Sequence, residues 1–266
     1  MKIALTIAGS DSGGGAGIQA DIKSMQANGV FAASVVTAVT AQNTLAVTDA
    51  LDLPLSIIES QIDAVFDDLR IDVVKTGMLS SSEIIRLVAR KMREREVSTL
   101  VVDPVMVSKS GFRLLAADAV DALRDELLPL ATVVTPNAFE AGDLTGGTVK
   151  TLDDAQQAAR EIFEMGPSSV LVKGGHLEGE TEAIDVFFDG AQFHTFTSPM
   201  LDARFTHGTG CTYASAIAAR LARGASLTEA ISRAKHYVTE AIRNGFVIGS
   251  GHGPTHHFYF LDEDAA

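Results

Sequence analysis

Short apolar runs alternating with amphipathic segments are the main pattern along this chain of 266 residues. The apolar runs predict strands over residues 3–8, 34–40, 72–76, 99–102, 132–134 and 169–172, followed by a hairpin of strands 183–188 and 192–196. The segments between them predict helices over residues 18–28, 55–69, 80–95, 116–128, 152–165, 209–223 and 227–244, and a short helix that carries Glu140. This alternation predicts an α/β fold in which helices cover both faces of a mostly parallel sheet. Because no linker or repeat interrupts the pattern, we expect one domain over residues 1–266.

Composition excludes several classes of protein. The formal net charge of −13 argues against a broad basic surface for nucleic acid. The single cysteine rules out an internal disulfide and a cysteine-based zinc site. The first apolar run is too short for a signal peptide, and no run reaches the roughly 18 apolar residues of a membrane span. We therefore expect a cytoplasmic enzyme without nucleic-acid or membrane partners.

Polar and glycine-rich residues follow the predicted strands at the points where these end. They are Asp11, Gln42, Thr76-Gly77-Met78, Asp103, Thr135-Pro136-Asn137 and Lys173-Gly174-Gly175. In open parallel sheets, ligands bind beyond the carboxyl ends of the strands. The coincidence of so many unusual residues at this edge predicts the functional site there.

The segment His207-Gly208-Thr209-Gly210-Cys211-Thr212 runs directly into an alanine-rich predicted helix. The first amides of a helix lack intrahelical partners and carry partial positive charge, so this turn suits an anion or a developing oxyanion. Cys211 lies at the mouth of that turn, where we expect its thiol to be biased toward thiolate. The alternative interpretation is an ordinary glycine-rich loop with a small buried cysteine.

Two common nucleotide-binding motifs do not fit this chain. Gly15-Ala16-Gly17-Ile18-Gln19-Ala20 matches the relaxed dinucleotide pattern, but the second strand ends in Ala41-Gln42-Asn43-Thr44 without the expected acidic residue. No Gly-Lys-Ser/Thr sequence occurs, which excludes a P-loop. If the chain binds ATP, its phosphates must lie at residues 208–211.

Three oxygen-bearing side chains, Asp103, Asn137 and Glu140, are candidates for a magnesium site. Mg²⁺ prefers such ligands and is often held through waters together with substrate phosphates. The alternative is that they are unrelated polar caps, with Asn137 capping the helix of Glu140. Lys173 is either a phosphate contact or a mobile surface lysine. For the histidines near the end of the chain, 252, 256 and 257, we expect surface or packing roles, because their spacing lacks a helix context.

Taken together, these motifs make the chain similar, almost from end to end, to the hydroxymethylpyrimidine/phosphomethylpyrimidine kinases, the thiamin-biosynthetic family of the ribokinase-like superfamily. The matching segments are residues 8–21, 39–44, 75–78, 102–106, 135–137 with Glu140, 173–176, 207–212 and 251–254.

The resemblance implies a three-layer α/β/α sandwich, ATP and Mg²⁺ as cofactors, a homodimer, and two successive phosphorylations of a hydroxymethylpyrimidine. It implies that Gln42 reads the aminopyrimidine edge while Met78 packs on the ring, with Asp21, Gly9 and Ala16 bordering the same pocket. It implies that ATP is bound by Asn137, Glu140, Lys173, Thr206 and Lys235, with Mg²⁺ held through water near Asp103 and Glu140. It also implies that Gly208, Thr209, Gly210 and Cys211 surround the transferred phosphoryl group. Cys211 stands where most sugar kinases of the superfamily have an Asp, so a general-base role for it is a hypothesis.

Two other functions remain open from the sequence. Some kinases of this branch carry the same Gly-Thr-Gly-Cys turn and accept vitamin B6, so a pyridoxine/pyridoxal kinase is the nearest alternative. A non-catalytic pyrimidine- or nucleotide-binding regulator on the same fold is the other, although the intact site residues argue against it. The segment Ser108-Lys109-Ser110-Gly111 is polar and follows a strand end, so we expect it to form a flap over the phosphates.

Overall fold

The computed structural model describes residues 1–107, 114–115, 119–175, 177–201 and 203–262. Within these residues nine strands form one sheet. They are β1 (Ile3–Asp11), β2 (Phe31–Gln42), β3 (Val47–Asp52), β4 (Val73–Thr76), β5 (Leu100–Val102), β6 (Val133–Val134), β7 (Val170–Val172), β8 (Glu182–Phe188) and β9 (Phe193–Pro199).

The helices occur between these strands and after the last of them. They are α1 (Gly17–Ala27), α2 (Leu55–Asp68), α3 (Ser82–Glu94), α4 (Ala119–Ala122), α5 (Ala138–Thr145), α6 (Leu152–Phe163), α7 (Thr209–Ala222), α8 (Leu227–Arg243) and α9 (Tyr259–Asp262). None of the helices in the described part of the chain is long and apolar enough to cross a membrane.

The strand order is β3-β2-β1-β4-β5-β6-β7-β8-β9. The six strands from β2 to β7 in this order run parallel, while β3 at one edge and the β8–β9 hairpin at the other are antiparallel to their neighbours. All the parallel strands therefore end at the same edge of the sheet, which is where the sequence predicts the site.

Two apolar layers sandwich the sheet, because successive strand residues point to opposite faces. In β5, Val101 packs with α1, α7 and α8, whereas Leu100 and Val102 pack with α2 to α6. The same alternation occurs in β4, where Val73 and Val74 belong to different layers. The predicted three-layer α/β/α architecture with a mostly parallel sheet is confirmed.

The structure adds the short helix α9 after the last predicted helix, and it differs from the predicted elements in two further regions. The second strand is longer than predicted and carries Gln42 at its end, and it pairs with the unpredicted β3. β3 is almost wholly exposed, so it lacks the apolar run by which buried strands are recognised. In place of a continuous helix over 116–128, α4 passes into a π-helical turn at Leu123–Leu127 and a 3₁₀ turn at Leu128–Leu130, where Pro129 has no amide to donate.

Candidate active site

A cavity of 730 Å³ lies at the carboxyl ends of the parallel strands. It is lined by nearly all of the site residues predicted from the sequence: Gly9, Ala16, Gln42, Met78, Asp103, Asn137, Glu140, Lys173, Thr206, Gly208, Thr209, Gly210, Cys211 and Lys235. The elements that bring them together are far apart in the chain. The sheet topology therefore assembles the site, as expected for parallel strands that end at one edge.

The first glycine-rich loop is organised around the carboxylate of Asp11. This carboxylate accepts hydrogen bonds from the amides of Gly13 (2.7 Å), Gly15 (3.1 Å) and Ala16 (2.8 Å). It also lies 3.0 Å from Nε2 of His207. Burial acts to raise the pKa of Asp11, but the bonds from His207 and the amides outweigh it, so the pKa is lowered. The loop is thus tied to the segment that precedes α7.

Gln42 and Met78 form one end of the cavity. The Oε1 atom of Gln42 accepts a hydrogen bond of 3.2 Å from Thr40 Oγ1, and its Nε2 lies 3.4 Å from Nε2 of His207. Both contacts are long, and their partners have closer ones, Thr40 with the Ser10 carbonyl (2.9 Å) and His207 with Asp11 (3.0 Å), so the carboxamide is left available to a ligand. Met78 closes against Gly9, where an added Cβ would lie 2.8 Å from the Met78 Cε. An amide edge beside an apolar thioether suits a flat polar heterocycle.

Asp103 and Lys173 form a buried ion pair beside the first turn of α7. Lys173 Nζ donates to Asp103 Oδ1 at 2.8 Å, while the buried Asp103 Oδ2 has no hydrogen-bond partner among the described residues. A Cβ added to Gly210 would lie 3.4 Å from Lys173 Nζ and 3.6 Å from Asp103 Oδ2. The absence of a side chain at Gly210 therefore leaves room for a small charged group between the pair and the helix.

Asn137 and Glu140 form a capping box at the start of α5. Asn137 Oδ1 accepts from the Glu140 amide at 2.9 Å, and Glu140 Oε2 accepts from the Asn137 amide at 2.7 Å. Asn137 is therefore a helix cap, which the sequence allowed as an alternative, and it also lines the cavity. Burial raises the pKa of Glu140 to about 7. The charge of Lys173 acts to lower this pKa, and the charge of Asp103 acts to raise it.

The residues around Asp103 fit a magnesium ion that is completed by water and phosphate. The described residues contain no group of three or more His, Cys, Asp or Glu side chains that could hold a metal alone. Asp103 Oδ2 is a buried acceptor without a partner, and Glu140 is a second buried carboxyl in the same cavity. Mg²⁺ is commonly bound through one or two carboxylates together with substrate phosphates.

The turn before α7 is packed tightly on the first glycine-rich loop. Gly208 has a φ of 77° and caps α7, and a Cβ at this position would lie 1.8 Å from the Gly15 carbonyl oxygen. Thr209 Oγ1 donates to the Thr206 carbonyl at 2.9 Å. Amides in the first turn of a helix have no intrahelical acceptor, so the turn that includes Gly210 and Cys211 is suited to an anion.

The expectation that Cys211 is biased toward thiolate is wrong. Burial raises the pKa of its thiol to about 12. Lys75 acts to lower the pKa, but Asp21 and Asp103 oppose it. The thiol is therefore protonated at neutral pH. A thiolate here would lose its hydration and would lie near the buried carboxylates of Asp21 and Asp103. This cost outweighs the favourable influence of the helix N-terminus.

Asp21 does not border the cavity, contrary to the prediction. It is fully buried, and both of its carboxylate oxygens accept hydrogen bonds from Lys75 Nζ, at 2.8 and 2.9 Å. Ser215 Oγ and Thr6 Oγ1 donate to the same carboxylate at 2.7 and 2.6 Å. Asp21 therefore joins β1, α1, β4 and α7 behind the cavity wall.

Lys235 lies toward the other end of the cavity, where its Nζ donates to Asp185 Oδ2 at 2.8 Å. Asp185 also accepts from the Gly174 amide at 3.1 Å. The neighbouring wall is apolar and contains Pro199, Met200, Leu201, Val238 and Ile242.

The roles of Asp185 and His207 were not predicted from the sequence. An acidic residue inside the apolar run of β8 was the available signal for Asp185, because unpaired carboxylates are rarely buried. For His207 the signal was its place directly before the glycine turn. The proposed flap at 108–111 and the matched residue His176 lie outside the described residues.

Comparison with known proteins places these features in a family. The family model for phosphomethylpyrimidine kinase matches residues 11–256. The chain is 49% identical over 257 residues to the hydroxymethylpyrimidine/phosphomethylpyrimidine kinase of Bacillus subtilis, covering 97% of this chain and 95% of the relative. It is 51% identical over 259 residues to a thiamine biosynthesis bifunctional protein of Geobacter sulfurreducens, covering 97% of this chain but 53% of that protein.

A solved structure shows the same fold. An ADP complex of Bacillus subtilis pyridoxal kinase superposes with a TM-score of 0.92 at 40% identity, covering 98% of this chain and 99% of the other.

Proposed function

Because the chain belongs to the phosphomethylpyrimidine kinase family, we propose that it phosphorylates 4-amino-5-hydroxymethyl-2-methylpyrimidine with ATP, first to the monophosphate and then to the diphosphate, in thiamin biosynthesis. The observation that carries this proposal is the convergence, in one cavity, of the Gln42 carboxamide, the Asp103–Lys173 ion pair and the start of α7, which has no side-chain cap.

The pyrimidine lies at the end of the cavity formed by Gln42 and Met78. A primary amide offers one donor and one acceptor side by side, which complements the 4-amino group and adjacent ring nitrogen of the substrate. The Thr40 hydroxyl has a closer acceptor in the Ser10 carbonyl (2.9 Å) than in Gln42 Oε1 (3.2 Å), so the amide oxygen remains able to accept from the 4-amino group. In this pose the hydroxymethyl group extends toward the first turn of α7.

The triphosphate lies between Lys173 and the turn at residues 208–211, with the adenine against the apolar wall near Lys235. Phosphoryl transfer requires alignment of the reacting oxygens and neutralisation of charge more than covalent chemistry by the protein. The ammonium of Lys173 and the amides of the helix turn supply positive charge in a partly buried site, where each acts strongly on the transferring group.

Mg²⁺ would be held by Asp103 and Glu140 through water, and when bound it neutralises phosphate charge. Asp103 Oδ2 is the acceptor without a protein partner, so it is the first candidate ligand. Lys173 holds the other oxygen of Asp103 and thereby fixes the orientation of the carboxylate.

Cys211 touches the reacting centre as a neutral thiol in this proposal. A loose phosphoryl-transfer transition state places little demand on a base, so positioning and the amides of the turn carry most of the rate enhancement. A Cys211→Ser variant is expected to keep turnover within about threefold of the parent chain, and a loss of a hundredfold or more, the range typical of removing a general base, would restore the general-base hypothesis.

The test of the proposed function is one assay with ATP and Mg²⁺ in which the hydroxymethylpyrimidine, its monophosphate and pyridoxal are offered side by side, with products resolved by mass. We expect the pyrimidine diphosphate. Pyridoxal phosphate with little pyrimidine product would instead assign the chain to vitamin B6 salvage, the second candidate, which the similarity to a pyridoxal kinase structure favours. Pyrimidine binding without transfer would favour a non-catalytic regulator.

We assign the ATP-dependent reaction to the cytoplasm, where ATP is available.

We also propose that the enzyme is a homodimer formed through the β2–β3 edge. Val39 and Leu51 are paired across these strands and are 45% and 69% exposed, and β3 leaves one side of its backbone unpaired. An exposed apolar edge of this kind is stabilised by a second copy. Light scattering of the protein as it elutes from a size-exclusion column should give twice the mass of one chain. The Leu51→Lys variant should give the mass of the monomer. A monomeric parent chain would contradict the proposed dimer.

A further inference from the structure

A segment near the end of the chain, residues 249–257, contacts three separate parts of the active site. We call it the C-terminal strap. It contacts the turn after β2, the loop before α7 and the first turn of α7. The turn after β2 and the first turn of α7 come from distant parts of the sequence, and the strap contacts both.

The first contact fixes the turn that follows Gln42. The His252 amide donates to the Thr44 carbonyl at 3.1 Å, and the Gly251 amide donates to Thr44 Oγ1 at 3.1 Å. A Cβ at Gly251 would lie 1.9 Å from the same carbonyl oxygen and 2.9 Å from the Leu45 amide nitrogen. The approach is between backbones, so only glycine permits it without movement of the strap or the turn.

The second contact is a short bridge to the loop that leads into α7. The Gly253 amide donates to the Arg204 carbonyl at 2.9 Å, and the His207 amide donates back to the Gly253 carbonyl at 3.2 Å. His207 directly precedes the glycine turn and contacts both Asp11 and Gln42. The strap therefore holds the residue that connects the turn before α7 to the first glycine-rich loop and to Gln42.

The third contact lies next to Cys211. Nε2 of His257 is 3.0 Å from Thr212 Oγ1, and Thr255 Oγ1 is 3.3 Å from the same hydroxyl. Thr212, Thr255 and His257 are all buried. The Tyr237 hydroxyl donates to the His257 carbonyl at 2.8 Å, so α8 holds the backbone of the strap at this residue.

We propose that the C-terminal strap is a positioning part of the active site, in which Gly251 fixes the turn that follows Gln42 and His257 fixes the first turn of α7 at Thr212. This inference rests on the proposed function, because that function assigns Gln42 to the pyrimidine and Cys211 to the phosphoryl group. Transfer is sensitive to such placement: a displacement of about 1 Å costs on the order of a hundredfold in rate.

The first test compares Gly251→Ala with Gly147→Ala. Neither glycine has a positive φ, and a Cβ at Gly147 meets only Thr145 Oγ1 at 3.7 Å, so the control adds the same methyl group without a clash. We expect Gly251→Ala to raise the KM for the pyrimidine about tenfold or more while the KM for ATP stays within about twofold. Equal changes in both KM values, or no change in either, would overturn the role of Gly251.

The second test compares His257→Leu with His257→Gln. Leucine fills the space without the hydrogen bond to Thr212, whereas glutamine retains a group that bonds the hydroxyl. We expect His257→Leu to lower kcat about tenfold with little change in the pyrimidine KM, and His257→Gln to restore most of the loss. If the two variants lose thermal stability and kcat to the same extent, the residue is merely structural.

Two measurements test the positioning role of the strap without depending on enzyme activity. Cys211 is the single cysteine of the chain, so its alkylation by iodoacetamide reports the first turn of α7. We expect faster alkylation in His257→Leu and faster hydrogen exchange of the amides at residues 42–46 in Gly251→Ala, with neither change in Gly147→Ala. Unchanged rates of alkylation and of hydrogen exchange would overturn the proposed positioning role of the strap. A parent chain that leaves the pyrimidine unphosphorylated would contradict the proposed function alone.

Discussion

Cys211 shows how burial reverses a chemical expectation at a single residue. A cysteine at a helix N-terminus is ordinarily acidic, yet burial, with a smaller influence of Asp21 and Asp103, raises the pKa of this thiol to about 12. We predict slow alkylation of the free protein by iodoacetamide at pH 7 to 8, with a rate that climbs with pH up to the limit of native stability. Rates measured by mass, against glutathione at the same pH, provide the comparison. A plateau in alkylation rate at or below pH 8 would contradict the raised pKa.

Glu140 illustrates a conflict between function and stability. Burial raises the pKa of its carboxyl to about 7, so the folded chain binds this proton more tightly than the unfolded chain, whose pKa is about 4.5. Its contribution to folding is therefore most favourable below pH 4.5 and is lost as pH rises through 7, by up to about 3 kcal/mol.

We predict that Glu140→Gln, measured in metal-free buffer by urea unfolding, is more stable than the parent chain at pH 8 and closer to it at pH 5. Glutamine preserves the capping box, so the helix start is unchanged. The same variant should lose kinase activity with Mg²⁺ and ATP. A variant that is less stable at pH 8 would show that the ionised carboxylate is favourable in this site.

At the scale of elements, the geometry of the turn before α7 depends on a close backbone approach. Gly208 and Gly224 both have positive φ, 77° and 88°, so alanine strains the backbone similarly at either position. A Cβ at Gly208 would collide with the Gly15 carbonyl oxygen, whereas one at Gly224 meets nothing within 4 Å.

We therefore predict that Gly224→Ala costs about 1 kcal/mol of stability and leaves activity intact. Gly208→Ala should show the same strain and, in addition, lower kcat by about a hundredfold, because the turn must separate from the first glycine-rich loop. Thermal unfolding and steady-state kinetics of both variants provide the comparison. Equal activity in the two variants would mean that the contact between the loops does not position the site.

The elements that could be predicted from the sequence are those that bury a continuous apolar run. The parallel strands and the helices that cover them are of this kind, and their order alone places the site at the strand ends. β3 was missed because Val47 is its one buried residue and exposed edge strands lack periodicity. The position of Asp21 was missed for another reason: its partner Lys75 is distant in sequence, and only the packing of β4 against α1 brings the two charges together.

At the scale of the whole molecule, the Lys75–Asp21 ion pair joins β1, α1, β4 and α7 through buried side-chain hydrogen bonds. Both side chains are fully buried, and Thr6 and Ser215 complete the hydrogen bonds of the carboxylate. Removal of one partner from such a pair leaves an uncompensated charge in the interior, which costs about 3–5 kcal/mol, whereas removal of both costs much less than the sum.

We predict that Asp21→Asn and Lys75→Met each lower the free energy of unfolding by several times the roughly 1 kcal/mol of an exposed ion pair, and that the double variant recovers part of the loss. Arg233→Met is the matched control, because Arg233 pairs with Glu229 through side chains that are 58% and 47% exposed. Urea unfolding of the parent chain, the two single variants and the double variant gives the coupling energy directly. Strict additivity of the two single changes would show that the ion pair itself does not hold the four elements together. A positive coupling energy would instead show that charge compensation between Lys75 and Asp21 stabilises the wall behind Cys211. A variant that keeps the apolar core but separates these two charges should then unfold at a lower urea concentration.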